Sequence, residues 1–193
     1  MISQKLIEIL FFFTVAVLSM TFLTVWSGTF IDDFSDHKPD GWKEVGIKWK
    51  IKDGDYHGVN PNGVKEVALI GDPKWRPDYF LEVKVRNAKG VWLGIHLRWI
   101  DINNHYDWWV DLASKKAGLY IKKGEYIQKT VDNIPLDIQK EFSIKLVMKG
   151  LVLNGCFNGK QVNTWENKAK SFKTGAIGLC VYGKEKLHLM MSW

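Results

Sequence analysis

Beyond the first two dozen residues, apolar side chains recur at every second position, and no period of 3.6 persists for more than a turn or two. Side chains on a strand alternate between the two faces of a sheet, so this pattern predicts strands with one oily and one mixed face. It is clearest from Val91 to Leu112. In the first arm Val91, Leu93, Ile95, Leu97 and Trp99 alternate with Trp92, Gly94, His96 and Arg98; in the second, Tyr106, Trp108, Val110 and Leu112 alternate with His105, Asp107, Trp109 and Asp111. The polar segment Asp101 to Asn104 joins them as a turn. Pairing Trp99 with Tyr106, Leu97 with Trp108 and Ile95 with Val110 places every apolar residue on one side. The same register sets Arg98 opposite Asp107, His96 opposite Trp109 and Gly94 opposite Asp111. A slip of one residue would mix the two faces.

Further strands are predicted at Thr29–Phe34, Ile47–Ile51, Tyr56–Val59, Val67–Ile70, Tyr79–Arg86, Gly118–Lys122, Tyr126–Val131, Phe142–Met148, Leu151–Phe157, Gln161–Trp165, Ile177–Tyr182 and Leu187–Met191. Asp53-Gly54, Lys149-Gly150 and Asn158-Gly159 are hairpin turn signals between flanking runs. Pro135 to Lys140 has room for one helical turn. Strands spaced about every 8–12 residues, with turn chemistry between them, predict an all-β fold: one sandwich of antiparallel sheets. No linker, repeat or low-complexity segment interrupts it.

The N-terminus differs. Lys5 precedes an apolar run from Ile9 to Trp26, and Val25-Trp26-Ser27 offers a cleavage site before Gly28. Residues 1–27 therefore read as a signal peptide or, at about 18 apolar residues, a membrane anchor. Residues 28–193 then form the domain, outside the cytoplasm, touching a membrane through the N-terminal segment alone. Composition agrees with the β reading: 193 residues carry ten Trp, ten Phe and six Tyr. The net charge of +6 admits an acidic glycan as partner, but the lysines are scattered through hairpins and loops, as on solvated strand edges. Export argues against nucleic acid. The two cysteines, Cys156 and Cys180, sit in predicted strands, and an oxidising compartment permits a disulfide whose geometry the sequence does not fix. Neither lies near a His in a nucleophile arrangement. The oligomeric state is not encoded in any of these signals.

Several phrases resemble a known superfamily. Ile31 to Asp36 followed by Asp40-Gly-Trp42, Trp49, and Lys52 to Tyr56 are similar to the opening of bacterial concanavalin A-like (laminin G-like) domains. Asp78 to Val85, Gly94 to Arg98, Asn103 to Tyr106, Phe157 to Lys160 and Gly175 to Leu179 continue the likeness in order. The nearest subfamily is the 3-keto-disaccharide hydrolase domain. The resemblance implies a jelly roll of two antiparallel sheets, whose concave sheet commonly binds glycans. Two features depart from it. The end, Lys186 to Trp193, has no acid where such domains often carry an Asp. Some relatives hold Ca²⁺ between acids near the termini, and Asp32, Asp33 and Asp36 supply one side here. No matching carboxylate closes the set, and Ca²⁺ wants about six to eight oxygens, so no cofactor is assigned and Ca²⁺ is left open.

Extending the register outward places Leu119 and Ile121 in the core, with Tyr120 beside Trp109 and Lys122 beside Asp107. On the other flank Val83 and Val85 face inward, so that Lys84 approaches Trp92 and Glu82 approaches Gly94. The expected ligand-binding residues are Trp92, His96, Arg98, Asp107, Trp109, Asp111, Tyr120 and Lys122. Flat rings cover the C–H face of a sugar, and charged groups pair with its hydroxyls. The bland alternative is rings packed under a loop and a cross-strand ion network.

An enzyme needs paired acids. The Glu-x-Asp-x-x-Glu pattern of laminarinase-like glycosidases is absent. Asp107 and Asp111 share a face but lie about 13 Å apart at strand rise, beyond the roughly 5–9.5 Å of glycosidase carboxyls. Glu82 and Asp111, flanking Gly94 at about 9.6 Å, are the catalytic candidates. His96 and His105 are expected far apart along the sheet, so no metal site is assigned. Carbohydrate binding without catalysis leads, ahead of a glycoside hydrolase and a laminin G-like protein-binding module.

Overall fold

The computed structural model describes residues 32–46, 49–59, 67–75, 78–86, 88, 92–182 and 186–191. Residues 1–27, expected to be a signal peptide or membrane anchor, lie outside them. Fourteen strands, numbered in chain order, are β1 Trp42–Val45, β2 Lys50–Lys52, β3 Asp55–Val59, β4 Val67–Ile70, β5 Tyr79–Arg86, β6 Trp92–Asp101, β7 Asn104–Asp111, β8 Lys116–Lys123, β9 Glu125–Asn133, β10 Phe142–Lys149, β11 Val152–Phe157, β12 Lys160–Glu166, β13 Ala176–Tyr182 and β14 Lys186–Met191. They make two seven-stranded antiparallel sheets. The first has the order β1-β4-β13-β6-β7-β8-β9, the second β12-β11-β10-β5-β14-β3-β2. No helix occurs among the described residues.

Facing positions of the two sheets fill the core by the period-two rule. Leu93, Ile95 and Leu97 of β6, Tyr106, Trp108 and Val110 of β7, and Leu119 and Ile121 of β8 meet Leu81, Val83 and Val85 of β5 and Ile144, Leu146 and Met148 of β10. Trp108 is wholly buried, and its indole N–H donates to Asn163 Oδ1 at 3.0 Å. At one end Phe34, Tyr56 and Trp49 stack in series, with centroids 4.8 and 4.9 Å apart.

One local expectation changes and two points left open by the sequence are decided. Asp32 to Phe34 is no strand: Asp32 Oδ1 accepts the Phe34 N–H while Oδ2 accepts the Trp42 indole N–H, both at 3.0 Å. Asp33 and Asp36 accept the Ser35 and Lys38 amides in the same way, so these carboxylates build turns. Pro135 to Lys140 is a turn closed by Lys140 N–H to Asp137 O at 3.1 Å. Cys156 and Cys180 form no disulfide, because they occupy β11 and β13 of different sheets and point to opposite outer faces.

The largest change is inside β6. At the hairpin end Asp101 faces Asn104 as the turn predicts, but beyond it Leu97 faces Tyr106, Ile95 faces Trp108 and Leu93 faces Val110. Extra residues on β6 create a bulge, with Arg98 at a φ of +47°. The register beyond it is displaced by two, an even number, so both faces of Trp92 to Leu97 survive. At the bulge they do not. Arg98 turns inward and is buried, its Nη1 and Nη2 donating to Phe172 O and Gly150 O at 2.8 and 2.6 Å. Trp99 swings outward against Val67, Leu69 and Cys180. The amide freed by the bulge donates to the Tyr79 hydroxyl of the opposite sheet at 3.2 Å. Gly175 lets this happen, since a Cβ there would lie 2.1 Å from the Arg98 carbonyl carbon.

Candidate functional site

The outer face of the first sheet, over β6 to β9, gathers most of the chemistry expected from sequence. Trp92 lies opposite Asp111, Gly94 opposite Trp109 and His96 opposite Asp107. On the other side of β7, Trp109 faces Gly118, Asp107 faces Tyr120 and His105 faces Lys122. Trp92, His96, Asp107, Trp109, Asp111, Tyr120 and Lys122 therefore share one surface. Tyr120 and Lys122 sit two residues along from their expected partners, the same even displacement that β6 shows.

Three residues expected here are elsewhere. Arg98 is lost to the bulge and serves the interior. Glu82 and Lys84 lie on β5, which pairs with β10 and β14 of the second sheet rather than with β6. The strand beside β6 is β13, with Gly178 opposite His96 and Cys180 opposite Gly94. Glu82 instead lies 3.7 Å from Lys145 on that sheet's outer face. Glu82 and Asp111 thus sit on different sheets and do not flank Gly94.

Three rings form the middle of the surface. Trp92 and Trp109 stack at 4.9 Å, Trp109 and Tyr120 at 5.5 Å, and Trp92 and Tyr120 are nearly parallel, 4° between planes. Trp109 lies flat because Gly118 beneath it has no side chain: a Cβ there would be 2.7 Å from the indole Cζ2 and 2.3 Å from Thr130 O. Trp109 is 4% exposed, so it supports the layer, while Trp92 and Tyr120 are half-buried and present their rings. Burial, and then the charge of Asp107, push the Tyr120 phenol pKa up. Asp111 closes this end. Its partial burial opposes ionisation, but the amides of Ser114 and Ala113, each 2.9 Å from Oδ1, outweigh that and hold its carboxyl below the usual range. Lys116, Val131, Asp132 and Asn133 line a shallow depression beside it.

The other end is polar and buried. His96, His105, Asp107 and Lys122 are exposed by 1, 0, 3 and 9%. The imidazoles of His96 and His105 stack at 4.2 Å, and His96 Nε2 lies 3.7 Å from Asp107 Oδ1. The expectation that the two histidines are far apart is corrected: the displaced register puts His96 opposite Asp107, two residues from His105 on the same face. His105 also contacts Tyr126 edge-on at 6.4 Å, and Lys122 Nζ sits 4.4 Å above the Tyr126 ring. Tyr126 and His105 are the site residues that sequence reasoning left off the floor. The face of His105 was readable from its parity with Asp107. The reach of Tyr126 was not, since it depends on the β8–β9 pairing.

No family model matches the chain, and no curated protein matches it. Solved structures do. The carbohydrate binding module CBM66 from Bacillus subtilis superposes with a TM-score of 0.65 at 18% identity, covering 78% of this chain and 93% of that one. The β-glucanase of Bacillus licheniformis gives 0.63 at 12% identity, covering 87% and 97%. The carbohydrate recognition domain of Emp46p, in its potassium-bound form, gives 0.58 at 13% identity, covering 79% and 87%. At these identities the likeness establishes the fold alone, a jelly-roll sandwich of two antiparallel sheets.

Proposed function

We propose that this chain is an exported β-sandwich that binds carbohydrate, without cleaving it, on the outer face of its first sheet. The observation that carries the reading is the Trp92–Trp109–Tyr120 layer, with two half-exposed rings beside an ionised Asp111. An apolar ring covers the C–H face of a pyranose, and a carboxylate on its rim accepts from hydroxyls with the extra strength of a charged acceptor. Trp109 underlies the platform rather than touching the sugar. The fold's solved neighbours, a carbohydrate binding module and a carbohydrate recognition domain among them, support the same reading.

Non-catalysis rests on the acids. Glu82 and Asp111 lie on different sheets, and Asp107 and Asp111 are about 13 Å apart along β7, too far for a glycosidase pair. The 3-keto-disaccharide hydrolase resemblance therefore lacks the carboxylates assigned to it. Export rests on the apolar run from Ile9 to Trp26, and the net charge of +6 admits an acidic glycan without selecting one. A glycan array with the full-length chain in detergent micelles tests this. Binding to a restricted set of glycans, lost with Trp92→Ala, is expected. A folded chain that binds no glycan contradicts it and favours a protein-binding module; cleavage of an arrayed glycan contradicts the non-catalytic part.

A further inference from the structure

We propose that His96, His105 and Asp107 form a binding site for one divalent transition-metal ion of the zinc class. His105 and Asp107 stand two apart on β7 and so share a face, and the β6 bulge brings His96 directly opposite Asp107. One donor atom from each residue lies within 4.8 Å of the other two. All three residues are buried, on a face that elsewhere presents half-exposed rings.

The one resolved separation is nearer to that of two ligands on one metal than to a hydrogen bond. The 3.7 Å between His96 Nε2 and Asp107 Oδ1 exceeds the roughly 2.7–3.2 Å of a hydrogen bond. Donors about 2.0–2.2 Å from a tetrahedral zinc stand roughly 3.3–3.5 Å from one another. Closing the widest pair needs a movement of roughly 1–1.5 Å shared among three side chains.

The surroundings orient the donors. His105 Nδ1 lies 3.0 Å from the Asp101 carbonyl, to which its N–H donates, and this assigns Nε2 as the ligating nitrogen. That carbonyl is itself fixed, because the Asp101 carboxylate accepts from the Asn103 amide at 2.7 Å and the Asn104 side chain at 2.9 Å. The hairpin turn is in effect the outer shell of the site.

The donor set selects the ion. Two imidazoles and one carboxylate suit zinc and its first-row neighbours, whereas Ca²⁺ and Mg²⁺ take oxygen ligands. Three protein donors leave a fourth position for water or another oxygen. The competing account is a metal-free cluster of His96, Asp107 and Lys122 held together by charge. The site stands or falls separately from carbohydrate binding.

The test is a titration of the full-length chain, stripped with chelator, with Zn²⁺ by calorimetry and with Co²⁺ by visible absorption. One equivalent of Zn²⁺ is expected to bind and raise the Tm, and Co²⁺ to give the intense visible bands of a tetrahedral nitrogen–oxygen site. Asp107→Asn, which keeps the shape of the side chain, and His96→Gln should weaken Zn²⁺ by at least about tenfold to a hundredfold, the loss that even an outer-shell change brings. Wild-type protein that is folded yet takes up no stoichiometric Zn²⁺ or Co²⁺ overturns the proposal, whatever the variants do. So does binding that both variants retain in full.

Discussion

The outer faces of the two sheets obey the same alternation yet differ in what they do with polar groups. On the second sheet, Glu82 and Lys145 form a half-exposed ion pair at 3.7 Å, and the Lys145 ammonium sits 4.9 Å above the half-exposed Phe80 ring. Where that sheet buries a carboxylate, Asp55, Arg86 Nε and Nη2 reach its two oxygens, each at 2.7 Å. His57, buried beside it on β3, meets the Lys52 carbonyl at 3.0 Å, and the rest of this face is largely solvated. The first sheet buries two histidines, an aspartate, a lysine and a tryptophan on its outer side, away from the core. Burying polar and charged groups costs free energy unless they are compensated, and such arrangements concentrate at functional sites. The difference singles out the first sheet's outer face, where the proposed site lies.

The comparison is broken most forcefully at Arg98, which leaves that face for the interior. Arg98→Ala removes donors to two carbonyls, and chemical denaturation should show a loss of about 2–4 kcal/mol. Unchanged stability with lost glycan affinity would return Arg98 to the binding surface. Next is Gly118→Val. Its Cβ would meet Thr130 O and Trp109, so thermal unfolding should show a cost of about 1–3 kcal/mol, a Tm drop of roughly 2–12 °C, with impaired glycan binding.

Trp92→Ala sharpens the contrast instead. Calorimetry should show glycan affinity falling at least about tenfold, or about 1.4 kcal/mol, while far-UV circular dichroism stays unchanged. The smallest effect belongs to Glu82→Gln. An exposed ion pair contributes about 0–1 kcal/mol, so stability should barely move, and glycan affinity not at all. A measurable fall in affinity would bring β5 into the site.

Much of this was legible in the chain. The period-two pattern gave the class of fold, and the faces of Leu93, Ile95, Trp108, Val110, Leu119 and Ile121 were right because a strand's parity is local. The Asp101–Asn104 turn was legible for the same reason. The bulge was not. Arg98 takes a left-handed φ without being glycine, and what holds it there is distant: Gly175 against its backbone, Phe172 and Gly150 at its guanidinium. From that one feature follow the misplaced Arg98, the outward Trp99 and the unforeseen meeting of His96 with His105. Sheet membership was the second hidden fact. β5 and β6 are neighbours in sequence, but the chain crosses between sheets there, and β13, some 80 residues on, takes the place β5 was expected to fill. No local pattern reports such a pairing.

The claim that carbohydrate lies on the first sheet's outer face is tested most directly by nuclear magnetic resonance of the tryptophan indole N–H groups, assigned by single Trp→Phe changes, during titration with a glycan found on the array. Shifts at Trp92 and Trp109, with Trp108 and Trp49 in the interior unmoved, are the predicted result. Shifts confined to Trp165 and other residues of the second sheet, with Trp92 and Trp109 unaffected at saturation, would contradict it.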